Sequence, residues 1–276
     1  MGRAFPSRHV RNRRGRPAHR EYFHGGGGGG GGGRSSGRQA RESRGDPSER
    51  KCGCLDGPGV AAAKDAGELA DCLGQVGCAF LFAPNFHPAF AGVAGARKTL
   101  AAQGKRTGFH LLGPLVNPTR PAVRMIGVFR EEDMEKLAGA LHQLGCSSYA
   151  VIFGEDEKGA PLGELSPLGR NRLVGRLHGK AFDLTETRSK EARGDSRDLE
   201  AGNAQQSAAK ITELLEGAGL PAVHDAVVWN AGVILWLAGA AKDLAEGRKK
   251  ADETLAQGAA RALLERWKTW SRGKLS

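Results

Sequence analysis

Aromatic residues are scarce in this 276-residue sequence: two Tyr, four Trp and ten Phe, the Phe mostly inside apolar runs. A module that stacks nucleic-acid bases needs aromatics on a basic face, so this composition argues against a nucleic-acid partner. The five cysteines (Cys52, Cys54, Cys72, Cys78 and Cys146) are odd in number and irregularly spaced, which excludes a disulfide framework. Cys52 and Cys54 alone are too little for a metal or redox centre and read as plain thiols. No apolar stretch of signal-peptide type opens the chain. The longest apolar run, Ala226 to Ala241, is interrupted by Asn230 and falls short of the roughly 20 residues that a membrane span requires, so it reads as a buried helix. These absences point to a reducing, soluble setting, the cytoplasm, with no membrane partner.

Lysine is missing from residues 1–50, which carry twelve Arg and four acidic residues. The remaining 226 residues hold 29 basic and 26 acidic groups, so most of the net charge of +11 belongs to the start of the chain. Nine consecutive glycines run from Gly25 to Gly33. A phosphate-cradling loop needs a strand before it and a helix after it; this run lies between His24 and Arg34-Ser35-Ser36 with no apolar strand leading in. Residues 1–58 are therefore expected to be an Arg/Gly-rich tail unable to build a core. Three origins stay open: a disordered segment, an organelle transit peptide, or GC-rich DNA read in the wrong frame.

From residue 59 to 276 the pattern is that of a globular domain. Apolar spacing predicts a helix over 60–76 stopped by Gly77, a short buried strand at 78–82, and a helix from Pro88 to about Ala102. A strand is expected around 106–112, followed by a Gly-Pro and Asn-Pro loop to Pro118. Further strands are expected at 123–129, 149–153 and 181–185, a helix at 133–144, and a polar loop at 154–163. Helices are expected over 204–217, 222–241, 243–256 and 257–270. Strands alternating with helices give an α/β class, with a mixed, mainly parallel sheet flanked by helices.

Two places carry potential chemistry. Phe90 and Arg97 are seven residues apart on the helix expected after Pro88, so they share a face. His87 stands at its mouth, where unpaired N–H groups favour an anion. Taken alone, these positions read first as a capped surface helix with a core Phe and a solvated Arg. The alternative is a site for a flat aromatic carboxylate, its ring on Phe90 and its charge paired with Arg97. The second place is acidic: Glu155, Asp156 and Glu157, then Gly163-Glu164-Leu165-Ser166. Carboxylates close together suit a hard divalent cation, which prefers oxygen ligands; a solvated acidic turn explains them equally well.

The order Phe80-Leu81-Phe82-Ala83-Pro84, His87-Pro88-Ala89, Arg97, Arg106-Thr107, Leu112-Gly113-Pro114-Leu115 and Asn117-Pro118 resembles the anthranilate phosphoribosyltransferases, and the resemblance extends over roughly residues 60–275. It implies transfer of a phosphoribosyl group from phosphoribosyl diphosphate (PRPP) to anthranilate, in tryptophan biosynthesis, with magnesium. It places Ala83, Pro84, His87 and Arg97 on substrate-binding positions and Phe90 on a variable position lining the same site. It makes Glu164 a metal ligand, while Gly163 stands where the family has Asp; Asp156 and Glu157 are candidates to compensate. His110 departs from the family's Asn, and Asn230-Ala231 matches it within the late apolar helix. The family's Gly-Thr-Gly-Gly-Asp, Asn-x-Ser-Thr and Lys-His-Gly-Asn strings do not occur in this sequence, nor does its complete N-terminal helical domain. The activity expected of these 276 residues is accordingly absent or feeble. A homodimer is left open, since family members pair through that helical domain. The alternatives are a non-catalytic remnant or interaction module of the same fold and, against the charge balance, a nucleic-acid-binding homologue.

Overall fold

A computed structural model describes residues 59–103, 108–200 and 202–275. The expected tail, residues 1–58, lies outside the described residues. A four-stranded mixed sheet is the centre of the fold, with order β1 (Val123–Gly127), β2 (Ser148–Gly154), β3 (Asn171–Leu177), β4 (Lys180–Glu186). β1 and β2 are parallel, Ile126 facing Val151. β2–β3 and β3–β4 are antiparallel, with Val151 opposite Val174 and Leu173 opposite Leu184. The expectation of a mainly parallel sheet is thus corrected: among the described residues one pairing is parallel and two are antiparallel. The correction comes from β3, which the sequence pattern missed. Arg172, Gly175 and Arg176 break its apolar run, yet Gly175 belongs there because a Cβ would stand 1.9 Å from the Tyr149 carbonyl oxygen. The turn from β3 to β4 has His178 and Gly179 at φ 48° and 83°, the geometry that suits the twist of a two-residue hairpin.

Three layers build the core. Helix α5 (Met134–Gln143) crosses between β1 and β2, and Gly145 at φ 76° follows its end. Its Met134, Leu137 and Leu141 pack on Tyr149, Val151 and Phe153 of β2. The alternate residues Ala150 and Ile152 meet Val233 and Leu237 of helix α8 (Pro221–Leu237) on the other face. All seven residues of β2 are buried, as expected for a central strand covered on both sides. Helices α6 (Ser196–Leu199) and α7 (Ala204–Leu215) precede α8, and α9 (Leu244–Ala256) and α10 (Ala259–Leu275) follow it. None of the described helices is long and apolar enough to cross a membrane.

A separate apolar cluster joins helix α1 (Ala66–Gln75) to α10, where Leu69, Cys72 and Leu73 pack with Trp267 and Trp270. Asp65 caps α1 by accepting from the Glu68 amide, as its position before the apolar spacing requires. Trp270 donates its indole N–H to Asp71 at 2.8 Å, and the Ala61 amide donates to Ser271 Oγ at 2.8 Å.

The region between this cluster and the sheet departs from expectation. The strand at 78–82 reduces to one bridge, Leu81 with Ala63. The helix expected from Pro88 is two pieces: a 3-10 turn at Pro88–Val93 and helix α3 at Ala94–Ala102. Before them stands the short helix α2 (Ala83–Phe86). The strand expected around 106–112 is corrected to helix α4 (Phe109–Leu115); residues 104–107 lie outside the described ones. Leu111 and Leu115, one helical turn apart, pack on the α5 side of the core, so the spacing is helical rather than alternating.

Candidate functional site

The acidic loop lies at the carboxyl ends of β1 and β2, the position where open α/β sheets place their ligands. Gly127 ends β1 and Gly154 ends β2. A Cβ on Gly127 would lie 1.8 Å from the Gly163 carbonyl oxygen, and one on Gly154 would lie 2.1 Å from that of Glu164. Two strand ends without side chains therefore let the Gly163–Glu164 backbone rest directly on the sheet.

Two asparagines fix the next two residues. Asn230 of α8 accepts from the Leu165 amide at 3.1 Å and donates to the Leu165 carbonyl at 2.8 Å, with a further donation to Ala226. Fully buried Asn171 accepts from the Ser166 amide at 2.9 Å and donates to the Ser166 and Gly169 carbonyls at 2.7 and 3.2 Å. Leu165, Ser166 and Leu168 are completely buried. Glu164 is the exposed residue of this held segment. Protein packed around its carboxyl disfavours the charged form and pushes its pKa upward by desolvation, with no charge or hydrogen bond opposing the shift. Its open edge lets solvent limit that effect.

The other acidic residues are committed elsewhere. Asp156 is buried, and its Oδ1 accepts from the Lys158 and Ala160 amides, both at 2.8 Å, which folds the loop into a turn. Glu157 accepts from the Ser196 hydroxyl at 2.8 Å and the Ser196 amide at 3.1 Å. Its own backbone amide first, and Ser196 next, hold its carboxyl below the usual range. Both carboxylates thus have partners within the loop or on Ser196. Gly163 has φ 74°, and a Cβ there would lie 2.7 Å from the ring of Phe129. Among the described residues no group of three or more His, Cys, Asp or Glu side chains is arranged to hold a metal. The carboxylate this loop leaves exposed is that of Glu164, an oxygen donor of the kind a hard cation such as magnesium accepts.

On the acceptor side, Ala83 and Pro84 are exposed on α2. His87 is half-buried and closes α2, its amide donating to the Ala83 carbonyl at 3.0 Å. It therefore stands between α2 and the 3-10 turn and not at the mouth of one long helix. The side chains of Phe90, Arg97 and His110 lie outside the described residues. Asn117 is buried and accepts from the Thr119 amide at 3.0 Å and its hydroxyl at 2.8 Å, a local turn that agrees with a structural part for Asn117-Pro118. Asn171 was not legible as a site residue. Its only sequence signal is an asparagine at the head of a short apolar run, two residues after Gly169.

This sheet, covered by helices on both faces and with a loop mounted on its carboxyl edge, defines an α/β domain. The family model described as "Glycosyl transferase family, a/b domain" matches residues 51–261, and the chain belongs to that family. Its relatives within it include anthranilate phosphoribosyltransferases. That of Chlorobium phaeovibrioides is 38% identical over 186 residues, 66% of this chain and 52% of the relative. A crystal structure of the Thermus thermophilus enzyme superposes with a TM-score of 0.70 at 36% identity, covering 82% of this chain and 66% of that one. The Saccharomyces cerevisiae enzyme in complex with PRPP and Mg shares the fold, with a TM-score of 0.67 at 23% identity, covering 80% of this chain and 61% of that one. The chain spans 52% of the Chlorobium relative and 65% of one from Streptomyces coelicolor.

Proposed function

We propose that residues 59–276 form the acceptor side and the metal-facing loop of an anthranilate phosphoribosyltransferase, acting in tryptophan biosynthesis. The observation that carries this reading is Glu164, a single exposed carboxylate on a loop seated at the carboxyl ends of two parallel strands. Ala83, Pro84, His87, Phe90 and Arg97 would receive anthranilate, the ring against Phe90 and the carboxylate against the Arg97 guanidinium. Glu164 would add one oxygen ligand to magnesium brought in with PRPP. Bound there, the cation would neutralise charge on the departing diphosphate. The amine of anthranilate attacks the anomeric carbon as the bond to diphosphate breaks, so the work of the protein is placement and charge stabilisation, without a nucleophilic side chain.

The strings that the family resemblance assigns to the diphosphate are not among these 276 residues, so this chain alone is expected to turn over feebly at most. An assay with anthranilate, PRPP and magnesium tests this: turnover at the rate of a full-length relative would refute it. A non-catalytic module of the same fold is the second reading, favoured by Gly163, where the Phe129 ring stands in the space a side chain would need. Calorimetry separates the two. The module reading requires no PRPP binding with or without magnesium; the transferase reading requires binding that magnesium strengthens.

A further inference from the structure

The Glu164 carboxylate lies on a segment whose following two residues, Leu165 and Ser166, have both their backbone groups bonded to the scaffold. Beneath it, the Gly163 and Glu164 carbonyls rest on the bare ends of β1 and β2. Beyond it, Asn230 takes both backbone groups of Leu165 and Asn171 takes both of Ser166. The two asparagines come from different elements, one from helix α8 and one from the first residue of β3. An asparagine whose only duty is to fill a helix face does not need to meet two groups of one residue 65 positions away in sequence. We infer that Asn230, with Asn171, is a positioning residue that holds the Glu164 loop at a fixed height over the carboxyl ends of the parallel strands, so that this carboxylate meets the metal-bound diphosphate already oriented. This inference rests on the metal role given to Glu164 above.

The geometry states what each substitution removes. Asn230→Asp keeps an acceptor for the Leu165 amide but replaces two N–H donations by a carboxylate facing carbonyl oxygens. Asn230→Ala removes all three bonds and leaves the Leu165 amide and carbonyl unpaired. Asn230→Ser keeps a polar atom on α8 that is too short to span both groups, and serves where the larger changes prevent folding.

Two measurements on the full chain decide the matter: amide hydrogen exchange in peptides covering residues 161–170, and PRPP binding with and without magnesium, each compared with Glu164→Gln. The inference expects exchange in the loop to rise roughly ten-fold or more while β2 and α5 peptides stay unchanged. It also expects the magnesium-dependent part of PRPP binding to fall in the Asn230 variants as far as in Glu164→Gln. Unchanged loop exchange alongside a lower melting temperature would make Asn230 a packing residue and overturn the inference, whatever Glu164 does. Glu164→Gln binding PRPP and magnesium as the native chain does would overturn the metal reading instead, and loop exchange would then judge the mount by itself. Loosened loop exchange with magnesium dependence intact in the Asn230 variants, but lost in Glu164→Gln, would overturn the positioning role alone.

Discussion

Two regions carry the family resemblance, and they are held in different ways. The loop from Gly154 to Asn171 is anchored by buried side chains and by hydrogen bonds to β3 and α8. The stretch from Ala83 to Ala102 consists of a four-residue helix, a 3-10 turn and α3, which packs chiefly on the turn before it. Among its described side chains, the Asn85 amide reaches the Ala63 carbonyl at 3.5 Å and Phe86 packs on the cluster of α1 and α10. Two stretches equally plain in sequence are thus held differently: the loop by buried asparagines from β3 and α8, the stretch 83–102 by short helical turns and the packing of Phe86. The Glu164 loop is preorganised by its scaffold.

The comparison can be broken most sharply at Asn171. Asn171→Ala should cost about 2–4 kcal/mol, because the Ser166 amide and carbonyl lose their partners in a completely buried position. Asn85→Ala should stay within about 0.5 kcal/mol. Urea denaturation of both variants measures the contrast, and equal losses would abolish the distinction between the regions. Next in size is Gly163→Asp. It should cost about 1–2 kcal/mol, since φ 74° is unfavourable for a side chain and the Phe129 ring must swing aside. Asp tolerates that backbone better than most residues, and Phe129 is half exposed, so the variant should fold. It should bind PRPP more tightly in magnesium than the native chain does, and Phe129→Ala should recover part of the lost stability.

A smaller effect follows from protonation. Burial raises the Glu164 carboxyl, so its neutral form favours the folded state. That contribution is present at low pH and is lost as pH rises through the folded value. Glu164→Gln should therefore be no less stable than the native chain at neutral pH, which their urea midpoints measure. The smallest effect concerns the ionic group at the start of β3. Arg170 holds the Glu131 carboxyl below its usual range, and Arg172 does the same to Asp183. Their stabilisation is present above the ordinary carboxylate range and is lost as pH falls through the lowered values. Arg172→Met should flatten the fall in melting temperature below about pH 4; an unchanged acid profile would show that the exposed pairs contribute nothing.

Much of the fold was legible because periodicity and punctuation agree in it. Val123–Gly127, Ser148–Gly154 and the four late helices show their apolar spacing, and Gly145 and the Asp243 cap mark boundaries. Reading failed where one residue serves two purposes. Gly175 weakens the strand signal of β3 because it makes room for the Tyr149 carbonyl. Leu111-Leu112 resembles a strand until Leu115 and its helical partner Leu111 are seen facing the core. Glu164 was legible as a candidate ligand from its neighbours in sequence. Its mount was not, because Gly127, Asn171 and Asn230 meet only through the tertiary fold. The commitments of Asp156 and Glu157 likewise appear only with their partners: two amides of the same loop and Ser196 of α6.

The most direct test is a calorimetric titration of anthranilate into the native chain and into Arg97→Ala. The account predicts weak, saturable binding to the native chain that is lost in the variant, with both chains equally folded. Binding that survives in Arg97→Ala, or no saturable heat with the native chain, would contradict it.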